Sequence, residues 1–97
     1  MKIQTTYSQF VPYNVGKLLC TGRGYLYAVI FTNSTTSAEY VTFYDNTSAT
    51  GNILLRFHLT IATPIIIFFP RDTLLQFETG LYVSPGAHVD GFVILAY

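Results

Sequence analysis

Turn-forming residues interrupt this sequence so often that only short secondary-structure elements fit between them. The interruptions fall at Gly22–Gly24, Asn33–Ser37, Asp45–Gly51, Ala62–Pro64, Pro70–Asp72, Thr79–Gly80 and Pro85–Gly86. The intervening residues are mainly Tyr, Phe, Thr, Ile and Val, which favour strands, and they show no sustained helical period. Short strands at this spacing predict an all-β fold: a sandwich or a barrel, of which we favour a single antiparallel β-sandwich with seven or eight strands.

The segment Asn52–Ile61 has the clearest two-residue alternation in the chain. Its apolar positions on one face are Ile53, Leu55, Phe57, Leu59 and Ile61, and the opposite face carries Leu54, Arg56, His58 and Thr60. Successive side chains of a strand point to opposite faces of the sheet. The pattern therefore predicts a half-buried strand whose register is fixed by its apolar face.

Two other segments are apolar on both faces. In Gly24–Asn33, simple alternation places Tyr25, Tyr27, Val29 and Phe31 on one face and Leu26, Ala28 and Ile30 on the other. Ile65–Phe69 is apolar at every position and is closed by Pro70. Antiparallel sheets usually have one solvated face, so we expect both segments to be covered twice. For Ile65–Phe69 this means burial on both faces or a subunit interface, because an exposed run of this kind promotes aggregation.

The composition points to burial against another protein surface. Of 97 residues, 51% are hydrophobic and only 10% are charged, whereas soluble domains average about 25% charged residues. The mean hydropathy is +0.40, and a small domain cannot hide all its apolar surface in its own core. We therefore expect the chain to assemble, most simply with copies of itself.

Charge and segment lengths argue against two classes of partner. The net charge is zero and the five basic residues are scattered, so no basic patch is available to neutralise nucleic-acid phosphates. No run approaches the 18 apolar residues of a membrane helix, and residues 1–10 lack the apolar region of a signal peptide. We expect synthesis in a cytoplasm and no direct contact with nucleic acid or membrane.

The first 14 residues differ from the rest of the chain. Met1–Asn14 is polar with scattered aromatics, Tyr7, Phe10 and Tyr13. We therefore expect residues 1–14 to form an extended N-terminal arm, and residues 15–97 to form the β-sandwich domain.

Reactive side chains are few and poorly spaced for catalysis. The single cysteine, Cys20, follows two leucines and is expected to be buried, and His58 and His88 lack the spacing of a zinc site. The carboxylates Asp45, Asp72 and Glu78 fall at strand ends or turns, where such side chains cap turns. The sequence therefore predicts no catalytic residue, no metal site and no cofactor.

Tyrosines leave two interpretations open. Tyr25, Tyr27, Tyr40 and Tyr44 are suited to subunit interfaces or to cross-strand pairs, because the ring is apolar and the hydroxyl tolerates water. The same side chains could form a platform that stacks against sugars or peptides.

The order of strands and turns in residues 24–97 resembles the small β-sandwich decoration, or cement, proteins of tailed bacteriophages. The pattern consists of the strand–turn–strand segment Val41–Leu54, then Leu75–Phe77, Gly80–Val83 and a terminal strand that ends in Tyr97. The resemblance implies a jelly-roll-like sandwich that forms homotrimers on the outer capsid surface, where it contacts the major capsid protein. It brings no catalytic residues.

The sequence supports one leading functional interpretation and leaves two alternatives. The leading one is a non-enzymatic viral structural protein that stabilises a capsid; its expected interface residues are Tyr7, Phe10, Tyr13, Tyr25, Tyr27, Ile66 and Phe68. One alternative is a carbohydrate- or receptor-binding module of a phage tail or head fibre. The other, a small β-sandwich enzyme, would need a convergent pair of titratable residues that the sequence does not reveal.

Overall fold

The computed structural model describes residues 6–12, 15–33, 39–59, 64–70 and 74–97. Across these residues the chain forms strands and no helix. The strands are β1 (Thr6–Val11), β2 (Lys17–Thr21), β3 (Gly24–Asn33), β4 (Glu39–Tyr44), β5 (Ile53–Leu59), β6 (Ile65–Phe68), β7 (Leu75–Phe77), β8 (Gly80–Pro85) and β9 (Val89–Ala96).

The strands form two antiparallel sheets with the topology of a jelly roll. Sheet A has the order β1-β9-β3-β6, with β7 also paired to β3, and sheet B has the order β2-β8-β4-β5. Successive nested pairs, β1 with β9, β2 with β8, β3 with β6 and β4 with β5, alternate between the sheets. This is the winding of a long hairpin into two Greek keys. The predicted antiparallel, jelly-roll-like sandwich is confirmed.

The core lies between the two sheets and is built from inward-facing residues of both. Its largest fully buried side chains are Phe31, Phe43, Phe77, Leu26, Leu81 and Leu95. The ring of Phe31 meets that of Phe43 edge-on, with centroids 6.0 Å apart, so the aromatic contact joins sheet A to sheet B. A polar link runs beside it, where buried Asn33 donates its side-chain N–H to the Leu59 carbonyl at 3.2 Å.

The described residues contain nine strands rather than seven or eight. Two strands share the position next to β3: β6 pairs with its C-terminal part and β7 with its N-terminal part. A strand that the sequence analysis did not count is β1, whose residues it assigned to an arm. Thr6–Val11 instead pairs along β9 as an edge strand of sheet A, because Val11 is fully buried in the core and anchors it there.

A bulge in β3 overturns the predicted division of its side chains. The register against β9 shifts between Leu26 and Ala28, so alternation breaks at Tyr27. Leu26 consequently joins Val29 and Phe31 in the core, while Tyr25 lies on the opposite face, across from Ala96. Strict alternation had placed Tyr25 with Val29 and Phe31, which is wrong.

Strand β5 follows the predicted alternation over most of its length. Leu55, Phe57 and Leu59 face the core, and Arg56 and His58 are exposed. The predicted faces of Ile53 and Leu54 are wrong: Ile53 is exposed and Leu54 packs against the core, because the register against β4 shifts between Phe43 and Tyr44. The expected positions Thr60 and Ile61 lie outside the described residues.

Candidate assembly surface

Two rows of side chains cross the face of sheet A that is turned away from the core. In the first row, Phe10, Phe92, Ile30 and Ile66 lie opposite one another on β1, β9, β3 and β6. In the second row, the corresponding residues are Ser8, Ile94, Ala28 and Phe68. We call the surface formed by these eight residues the outer A face. Seven of the eight are apolar, so this face lacks the polar side chains that usually solvate an antiparallel sheet.

Much of the outer A face is exposed in the protomer, although Ala28 is buried and Ile30 and Ile94 are half-buried. The accessible fractions are 46% for Phe10, 47% for Phe92, 56% for Ile66 and 66% for Phe68. The rings of Phe10 and Phe92 contact each other across β1 and β9, with centroids 5.3 Å apart. The contact orders the two rings beside each other but leaves much of both accessible to water.

No charged side chain belongs to the two rows. Asp90 lies beyond them at one end of β9, opposite Thr32. Lys17 approaches the β1 edge, where its ammonium donates to the Phe10 carbonyl at 2.8 Å. Charge is therefore confined to the margin of the surface, which favours contact with another apolar surface and provides no recognition of an ionic ligand.

The face is apolar because β3, β6 and β9 each carry apolar residues on both sides. In β6, Ile65 and Ile67 pack against the core while Ile66 and Phe68 point outward. The expected burial of Ile65–Phe69 on both faces is therefore wrong within one protomer, because the core covers one side of sheet A and leaves Ile66 and Phe68 exposed on the other. The alternative, a subunit interface, stays a prediction.

The predicted interface residues fall into several places. Phe10, Ile66 and Phe68 lie on the outer A face, and half-buried Tyr25 lies on the same side of sheet A. Tyr27 is half-buried at the β3 bulge. Tyr7 is not part of this surface; its ring stacks on that of Tyr97 with centroids 4.6 Å apart. Tyr13 lies outside the described residues.

Sequence reasoning missed Phe92, Ile30 and Ile94, which fill the middle of the outer A face. The alternation of side chains in the last strand could have identified Phe92 and Ile94. Alternation in Val89–Ala96 places Val89, Val93 and Leu95 on one face, and all three are buried; Ala96, on the other face, is buried as well. Phe92 and Ile94 then occupy the other face, so both faces of this strand are apolar in its central part.

The tyrosines do not form one platform. Tyr40 and Tyr44 lie on the outer face of sheet B, opposite His58 and Ile53 respectively, whereas Tyr25 lies on sheet A. The Tyr40 ring stacks on His58 at a centroid distance of 4.7 Å, and the Arg56 guanidinium carbon lies 4.2 Å from the Tyr40 centroid. Tyr40 is therefore engaged in contacts within sheet B.

Titratable groups serve structural contacts at turns. The Asp45 carboxylate accepts hydrogen bonds from the backbone N–H groups of Glu78 (3.0 Å) and Thr79 (2.9 Å), which joins two turns. Glu78 pairs with Arg23 at 2.8 Å on the surface, and Glu39 pairs with His88 at 2.9 Å. Among the described residues, no group of three His, Cys, Asp or Glu side chains is placed to hold a metal ion.

Cys20 is buried in the core, as the sequence predicted. Burial raises the pKa of its thiol above the ordinary value of 9.0, because desolvation disfavours the thiolate. A nucleophilic cysteine needs the opposite shift, toward a stabilised thiolate. The environment of Cys20 is therefore that of a structural residue.

No family model matches the sequence, and no curated protein matches it either. The described part of the chain has no helix of the length and apolarity needed to cross a membrane. The resemblance to phage decoration proteins stays a prediction.

Proposed function

We propose that this chain is a non-enzymatic viral structural protein that decorates and stabilises the outer surface of a bacteriophage capsid as a homotrimer. The observation that carries the proposal is the outer A face. An exposed apolar surface that spans four strands is the mark of a protein that works through contact with other proteins. A jelly-roll sandwich is also an architecture that viral capsid proteins use.

The mechanism is linkage between binding and shell stability. A protein that binds an assembled shell, but not its separated subunits, stabilises the shell by RT ln(1 + [L]/Kd) for each site. At a protein concentration of about 100 Kd this amounts to about 2.7 kcal/mol per site. The stabilisation free energies of the many sites on one shell add together, so no chemical step is needed for the function.

The first experiment is the absolute molar mass of the purified protein in dilute solution, measured by light scattering. We expect three times the chain mass of 10.9 kDa. A monomer that stays soluble at high concentration would contradict assembly through an apolar surface.

Shell binding is tested separately with empty shells assembled from the major capsid protein of the same virus. We expect the protein to sediment with these shells and to raise the temperature at which they dissociate. Failure of both readouts with a trimeric protein would leave an oligomer that is not a cement protein.

Glycan binding, the alternative from the sequence, requires aromatic ring faces that are open to a sugar. The described tyrosines are divided between the two sheets, and Tyr40 already stacks on His58. No arrangement of these rings favours a sugar platform over assembly. A glycan array probed with the purified protein checks this alternative, and we expect no specific signal.

A further inference from the structure

We propose that the outer A face is the subunit interface of the homotrimer, with the outer A faces of three copies surrounding the three-fold axis. This inference rests on the proposed function for the number of copies. It adds the surface that is used, the residues that fill it and the way in which neighbouring copies meet.

The exposed side chains of the outer A face supply part of the area that a stable trimer needs. With about 200 Å² for a phenylalanine side chain, the accessible fractions of Phe10, Phe68 and Phe92 amount to about 300 Å². Ile66 brings the total to about 400 Å². A specific interface buries about 800 Å² per partner, and each copy in a ring of three has two neighbours, so these four side chains supply about a quarter of the area. Further area comes from the partly accessible members Ser8, Ile30 and Ile94 and from the neighbours Thr6, Tyr25 and Gln76 on the same side of the sheet.

The chemistry of the surface favours a second copy over a foreign partner. Interfaces of permanent homo-oligomers are more apolar than those of transient complexes, whose rims and cores carry more polar groups. The two rows hold one hydroxyl, from Ser8, and no charge. Packing identical uncharged faces together involves no repulsion between like charges.

The need for solubility before shell binding also favours a second copy as the partner. A decoration protein has to stay soluble before it meets a shell, and an exposed apolar face of this size promotes aggregation. The partner that is present from the start is another copy of the same chain. Three copies that close into a ring would cover the face and the exposed edge strand β6 together.

The apolar side chains reach both edges of sheet A, so one copy can contact a neighbour at each edge, as a ring of three copies requires. Phe10 lies on β1 at one edge, and Ile66 and Phe68 lie on β6 at the other. In a ring of three, each copy presents two different surfaces to its two neighbours. We therefore place β6 of one copy beside β1 of the next, with Phe92 between them near the axis.

The decisive test compares two matched isoleucines. Ile66 on the outer A face is 56% exposed and Ile53 on sheet B is 54% exposed, and both lie in edge strands. Ile66→Asp is expected to lower the molar mass threefold, from trimer to monomer, whereas Ile53→Asp should leave a trimer. Phe68→Asp is expected to behave like Ile66→Asp. Far-UV circular dichroism of each variant checks that the protomer keeps its strands.

The outcomes separate this proposal from the proposed function. A trimeric wild type with a trimeric Ile66→Asp variant would overturn the interface and leave the function standing. Loss of the trimer in both isoleucine variants would also overturn the interface, because the effect would not be specific to sheet A. A monomeric wild type would overturn the assembly on which the function depends.

Disulfide trapping provides a second test that does not destabilise the protomer with a charge. Phe10 and Ile66 share a row but are three strand spacings apart, about 14 Å, which exceeds the limit of about 7 Å for a disulfide. In a Cys20→Ala background, the double variant Phe10→Cys with Ile66→Cys can therefore cross-link only between copies. Oxidation should give covalent trimers, and each single variant should give none. Covalent dimers alone, or monomers alone, would overturn the three-fold arrangement.

Discussion

Truncation of Phe43 to alanine tests whether the two sheets are held together by the aromatic contacts described above. Phe43 is fully buried, and its ring lies 6.0 Å from that of Phe31 and 6.2 Å from that of Phe57. Removing it deletes both ring contacts and leaves a cavity between the sheets. Substitutions of this type cost about 3–5 kcal/mol.

The size of this loss makes the prediction easy to measure. A chain of 97 residues has a total stability of about 5–15 kcal/mol, so Phe43→Ala removes a large part of it. For a domain of this length, 1 kcal/mol corresponds to about 4–8 °C in Tm. We therefore expect Tm to fall by at least about 12 °C, measured by circular dichroism at one fixed protomer concentration.

Ile53→Ala is the control for this experiment. It also removes apolar atoms from sheet B, but at a side chain that is already half exposed, so we expect a loss below about 1 kcal/mol. A Phe43→Ala variant that melts within a few degrees of this control would refute the reasoning, because the sheets could not then pack around Phe43.

Three further predictions concern single positions. Gly91→Ala should cost about 1–3 kcal/mol in thermal unfolding, because the added Cβ would collide with the backbone carbonyl of Ile30 on β3; an unchanged Tm would contradict the close approach of β9 to β3. Asp45→Ala should cost about 1–2 kcal/mol, since it removes the acceptor for two backbone N–H groups at the β7–β8 turn, and Asp45→Asn should cost less. The raised pKa of Cys20 predicts that stability is fully present below pH 9.0 and declines as pH rises above it, because the unfolded thiol loses its proton before the native one. Urea unfolding at several pH values checks this, and the decline should be absent in Cys20→Ala.

Parts of the fold could be predicted from local pattern because strand geometry acts on each residue directly. Alternation in β5 identified Leu55, Phe57 and Leu59 as core residues before any partner strand was known. The turn spacing likewise predicted an antiparallel sandwich, since the short connections leave no room for the long crossovers that parallel strands need. These properties depend on backbone periodicity and on side chains a few residues apart.

Other features depended on partners that are distant in the sequence. The bulge at Tyr27 arises from the register of β3 against β9, so no local pattern in β3 could place Leu26 on the same face as Val29 and Phe31. The edge position of β6 similarly follows from the order of strands in sheet A. A continuous apolar run predicts that both faces need cover, but it does not say which face the core will cover.

The candidate surface illustrates the same division. The sequence by itself determined that this chain is a β-protein with more apolar surface than one small core can bury. Only the tertiary structure decided where the excess lies, by bringing Phe10, Phe92, Ile30 and Ile66 from four separate strands into one exposed row. The physical reason is that composition fixes the amount of apolar surface, whereas strand order and register determine which side chains become neighbours.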